Sequence, residues 1–216
     1  MLKFELKKQF RQSQDILFNL AFFLITATIF VFAVSPNFSG QEIYAAGIIL
    51  TILLLAILMV VEKNLREDYQ DGVLEQLFIF DRETKRMILA KYTSFVILAA
   101  FLLLFSPLAL YAYGLTLTQI KVFLLVTMLM LPLICAICFL GSVFTFKLSG
   151  KTFLIFIIIL PMLVPEVIFI MLTLNNYYQD NVAVNNYLEY MLYFNLVLLP
   201  LCYFLAIKML KLVIKS

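Results

Sequence analysis

The stretch IYAAGIILTILLLAILMVVEKNLREDYQDGVLEQL, residues 43–77, changes character at one point. From Ile43 to Val61 it carries no charged side chain, a length close to the ~20 residues that cross ~30 Å of hydrocarbon as a helix. From Glu62 onward charge crowds in, with Glu62, Lys63, Arg66, Glu67, Asp68, Asp71 and Glu75. A helix that leaves a bilayer for water has this form. Working outward, five more apolar runs occupy about 18–34, 92–113, 121–146, 152–174 and 190–210. The fourth span, 121–146, is long and must tilt or begin outside the bilayer. The pattern predicts an all-α integral membrane protein of six transmembrane helices, forming one domain over 1–216.

Composition agrees. Apolar residues make up 64% of the 216 residues and charged ones 13%, about half the soluble average of roughly 25%. There is no His, which removes the commonest metal ligand and the usual general base near neutral pH. There is no Trp, so an aromatic belt falls to the 11 Tyr residues. Cys135, Cys138 and Cys202 all lie in apolar runs and read as small buried hydrophobes. Cys135 and Cys138 have C-x-x-C spacing, but Phe139 follows where covalent haem attachment needs His. With no ligand cluster and no nucleophile–base pair in view, the sequence names no catalytic, cofactor-binding or metal residue.

Charge sets the orientation. With the N-terminus in the cytoplasm, six spans place 15 of the 16 basic residues inside and leave only Lys121 outside, as the positive-inside rule requires. Both termini are then cytoplasmic, and the far-side loops, about 35–42, 114–120 and 175–189, are too short for a domain. Residues 1–17 read as an amphipathic interfacial helix, with Leu2, Leu6, Phe10 and Leu17 on one side and Lys3, Lys7, Lys8 and Arg11 supplying charge. The alternative, a cleaved signal peptide, has a candidate site at Ala33-Val34-Ser35 but an overlong n-region.

The cytoplasmic stretch 62–91 holds seven of the 13 acids. Within it Leu65, Tyr69, Val73 and Gln76/Leu77 share one helical stripe, and the acids are expected on the other side. Gly72 should bend or break the helix. Acids flanked by Arg66 and Gln residues can dock a protein groove; an ordinary solvated loop is the plainer alternative.

The block from Val61 to Leu77 resembles the haem exporter B family, CcmB, of cytochrome c maturation, whose pattern is roughly L-E-R-L-F-x-D-D-x-x-D-G-x-L-E-Q-L. Glu62, Leu65, Asp68, Asp71, Gly72, Leu74, Glu75, Gln76 and Leu77 match it; Lys63 and Glu67 match only in chemical type. Ala90-Lys91, Ser106-Pro107-Leu108 and the run from Leu160 to Pro165 are similar to further landmarks of the family. The resemblance implies an ABC-2-type exporter permease with an N-terminal elbow helix at 1–17 and a cytoplasmic coupling helix between spans two and three. It implies a separate CcmA-type ATPase, CcmC- and CcmD-type membrane subunits and a CcmE-type haem chaperone, with ATP hydrolysis coupled to haem export or to release of the haem-loaded chaperone from its complex. ATP and haem would be bound by those partners and not by this chain, and two copies would form the membrane part. ATPase coupling would fall on Glu62, Leu65, Arg66, Glu67, Asp68, Tyr69, Asp71, Gly72, Leu74, Glu75, Gln76 and Leu77. The same fold would serve a lipid or polysaccharide permease, and a structural membrane subunit without an ATPase is the reading from another class.

Three further features bear on function. Ser149-Gly150-Lys151-Thr152 imitates a phosphate-binding loop, but Thr145 stands where the motif needs Gly. Gly141-Ser142 and the small residues near Ala136 would permit close helix contact, as at a dimer face. Glu166 is an acid deep in an apolar run, where charge is costly; the family pattern is apolar there. Pro161 and Pro165 are expected to break the helix into a re-entrant turn and let Glu166 reach water, as a lumenal or interfacial residue rather than a proton site.

Overall fold

The computed structural model of the protein describes residues 13–33, 41–73, 84–145, 152–179 and 184–215. Among them the secondary structure is helical: α1 (Ser13–Ala33), α2 (Gln41–Gln70), α3 (Thr84–Leu103), α4 (Ser106–Ala112), α5 (Leu117–Thr145), α6 (Thr152–Tyr178) and α7 (Val184–Lys215). Six spans result, Ile16–Ala33, Glu42–Gln70, Ile88–Ala112, Leu117–Phe144, Ile159–Tyr178 and Tyr187–Leu210. The protein is thus a multi-pass membrane protein with the six-span, all-α architecture expected. Of the interfacial helix expected over 1–17, residues 1–12 lie outside the described residues; Ser13 to Leu17 open α1.

The third span is two helices. Pro107 has no N–H for the carbonyl of Leu103, and its ring disfavours a continuous turn. The Ser106 hydroxyl donates to that carbonyl at 2.8 Å instead, and α3 stops at Leu103 before α4 starts at Ser106. After α4, Gly114 takes φ +85° to reverse the chain. Thr116 then caps α5: its N–H donates to Gln119 Oε1 at 2.9 Å, and the Gln119 N–H donates to Thr116 Oγ1 at 3.4 Å. Such a reciprocal pair satisfies two N–H groups that a helix start leaves open.

α5 is the centre of the bundle, lying against α2, α3, α4, α6 and α7. Within its span 67% of the residues are buried, against 17% for α1 and 22% for α7, so those two turn most of their surface away from the bundle. Helices in lipid gain nothing from hiding apolar area, so close packing and polar contacts must hold them together. Gly141 of α5 supplies the first: a Cβ there would collide with the Ile159 side chain of α6. Tyr92 of α3 supplies the second, its hydroxyl donating at 2.7 Å to the Pro132 carbonyl of α5. Gly141, Ser142 and Ala136 thus permit close helix contact inside one chain, with Ser142 and Ala136 buried. The three cysteines are free and buried.

Candidate functional site

α2 does not stop where its apolar run ends at Val61. It continues through the charged sequence to Gln70, because Glu62, Asn64, Arg66 and Glu67 are compatible with a helix and pair along it. Glu62 accepts from Arg66 Nε one turn on, and Lys63 lies 4.0 Å from Glu67. Such i, i+4 pairs add a few tenths of a kcal/mol each. The helix ends at the predicted place: the Asp71 N–H bonds the Glu67 carbonyl at 2.9 Å, the Gly72 N–H bonds the Tyr69 carbonyl at 3.2 Å, and Gly72 adopts φ +69°. That left-handed step suits glycine and closes the helix. Of the stretch expected as a coupling loop, 62–70 extends α2 and 84–91 opens α3. Leu74, Glu75, Gln76 and Leu77, with the rest of 74–83, lie outside the described residues.

Of the stripe predicted from spacing, Leu65 and Tyr69 turn to the core, while Gln76 and Leu77 lie outside the described residues. Leu65 is fully buried, and Tyr69 is half-buried against the core. The acids divide in a way that spacing did not anticipate. Asp68 was expected with the exposed acids, yet it is 2% exposed and forms an ion pair with Lys91 of α3, itself 4% exposed. The physical reason is position: Asp68 lies three residues after Leu65 and so on the same side of the helix. Burying it is tolerable only with an opposite charge supplied, and Lys91 arrives from the next span. Lys91 in turn belongs to the bundle interior rather than to a solvated cytoplasmic segment. What remains exposed is Lys63, Gln70 and Asp71, with Glu62, Arg66 and Glu67 half-buried beside them.

The result is a helix end carrying exposed charge, bonded to the base of the neighbouring span by a buried ion pair. Pulling or pushing on it moves α2 and α3 together. At the opposite end of the bundle the Tyr178 hydroxyl of α6 donates to the Gln119 carbonyl of α5 at 3.5 Å.

Glu166 departs from expectation. α6 runs unbroken through Pro161 and Pro165, and Glu166 is 1% exposed. The prolines lie on the outer side of α6, where their rings clear the neighbouring helices, so the helix continues and its acid faces inward. The expected re-entrant turn and contact with water are corrected.

Among known proteins, the sequence is similar to Heme exporter protein B of Pseudomonas aeruginosa, 29% identical over 169 residues that cover 78% of this chain and 76% of that protein. It is equally similar to Heme exporter protein B of Haemophilus influenzae, 29% identical over 170 residues covering 78% and 77%. With that of Escherichia coli K12 it shares 37% identity over 91 residues, 42% of this chain and 41% of the relative. The CcmB protein family matches residues 1–212. A match of that extent includes all six spans and the extended α2, and the chain belongs to the CcmB family.

Proposed function

We propose that this chain is the permease subunit of an ATP-driven haem-export system for cytochrome c biogenesis in the bacterial inner membrane, with both termini cytoplasmic. ATP is hydrolysed by a separate CcmA-type subunit. The observation that carries the reading is the extension of α2: a helix that carries half-buried Glu67 and exposed Gln70 and ends at exposed Asp71, tied into the bundle by Asp68 and Lys91. An ATPase moves a membrane subunit only if its nucleotide states bind that subunit differently, and this helix end is a surface through which the difference can act. Leu74, Glu75, Gln76 and Leu77 continue the contact. CcmC-, CcmD- and CcmE-type partners handle haem, which suits a chain without His, and a second copy completes the membrane half of the transporter.

The test is co-purification from detergent of the ATPase subunit with this chain. Glu67→Lys with Asp71→Lys should abolish capture while the chain still inserts and folds, since surface substitutions alter stability by about 0.5 kcal/mol or less. Undiminished capture by that variant and by a Gly72/Glu75/Gln76 variant would remove the docking role.

A further inference from the structure

The interior of the bundle contains one acid that the docking surface does not use. Neither oxygen of Glu166 has a hydrogen-bond partner among the described residues. The titratable groups within electrostatic reach are Tyr92 of α3, Cys135 and Cys138 of α5, and Cys202 of α7. α2, also packed on α6, meets it with Gly47, Ile48, Thr51 and Ile52 around Val167 and Met171. No basic side chain is in that set; Lys91 is engaged with Asp68.

A buried carboxylate with neither counter-charge nor donor costs several kcal/mol, and lipid offers no water to offset it. A metal cation would need several oxygen ligands, whereas the surroundings are thiols and a phenol already donating to Pro132. A proton needs neither room nor further ligands. We propose that Glu166 is a proton-binding site: in this packing its carboxyl holds a proton, and giving it up requires α6 to shift.

The surroundings provide for that shift. Pro161 and Pro165 leave the carbonyls of Ile157 and Pro161 without their helical donors, so α6 bends most easily in the turns just before Glu166. A cavity of about 10 Å³, bounded by Ile88, Tyr92, Phe139, Cys202 and Tyr203, has room for about one water. It shares Tyr92 and Cys202 with the surroundings of Glu166, so slack in the packing lies beside the turns that would have to move.

Infrared spectroscopy of the full chain in lipid vesicles at about pH 7.5, where exposed Asp and Glu are ionised, decides the matter without any partner, and so independently of the docking reading. The wild type should show a protonated-carboxyl band that Glu166→Gln lacks. Its shift in D₂O should be slow, and slower still in Pro161→Ala/Pro165→Ala, where the helical bonds are restored. A wild-type spectrum with carboxylate bands alone overturns the proposal, and it does so even if the Gln variant fails to assemble. A deuterium shift complete on mixing, the sign of a carboxyl already in water, overturns it equally.

Discussion

Asp68 and Lys91 show how much one pair of residues decides. Neither charge is tolerable alone at 2% and 4% exposure, and removing one partner of a buried ion pair typically costs about 3–5 kcal/mol, because the other is left uncompensated. Asp68→Asn and Lys91→Met should therefore each lower the melting temperature in detergent sharply. The double variant Asp68→Leu/Lys91→Met should recover most of the loss, since an apolar pair of similar volume removes both charges together. The sequence could not disclose this contact. Helical spacing put Asp68 beside Leu65, but the composition of 62–77 argued for solvated acids, and only the tertiary approach of α3 supplies the compensating charge. Glu166 is the same problem without a solution in the local sequence: two prolines suggested a break, and whether they break a helix depends on whether their rings meet a neighbour.

At the scale of the element, the spans themselves were legible because a bilayer demands long, uncharged helices and little else forms them. Gly72 as a helix end was legible as well, since it is local chemistry; the Thr116/Gln119 cap is equally local, but the span was placed from Lys121 and the cap emerged only in the structure. The interruption between α3 and α4 is local too, set by Pro107 and Ser106. Gly141 was not legible in the same sense: a small residue announces a close approach but not to what. Its partner, Ile159, makes the prediction specific. Gly141→Val should destabilise the fold by about 1–3 kcal/mol through overpacking. Adding Ile159→Ala should restore stability, as measured by thermal unfolding of the two proteins side by side. If Ile159→Ala fails to rescue, the approach of α5 to α6 is not through these side chains. Tyr92→Phe should cost less, about 0.6 kcal/mol, the usual worth of a polar contact between helices in lipid.

On the scale of the whole molecule, the distribution of charge and the fold make one joint prediction about sidedness. The end of α2 and the start of α3 share one surface of the bundle, while the start of α5 and the end of α6 share the other. Because the native cysteines are free but buried, a new exposed cysteine can be read against a low background. Asp71→Cys should react with a membrane-impermeant maleimide only from the cytoplasmic side, and Thr118→Cys only from the opposite side. Labelling of both from one side would mean an even number of crossings between them, and the six-span count would fail. The family and the extended α2 were visible in the sequence through the 62–77 block; the division of its acids into surface and interior required the assembled bundle.

α5 touches every other described helix except α1 in substantial contact. A rod enclosed in this way has no open flank along which to slide, so it serves as the axle of the domain. Helices that move in a working cycle must then turn about it, α2 and α3 as one unit through Asp68 and Lys91, and α1 and α7 with the least buried surface to give up. Spin labels on α2 and α3 should keep their separation while both change theirs to α5. The membrane, by filling and vacating the space beside the outer helices α1 and α7, becomes a working part of the machine.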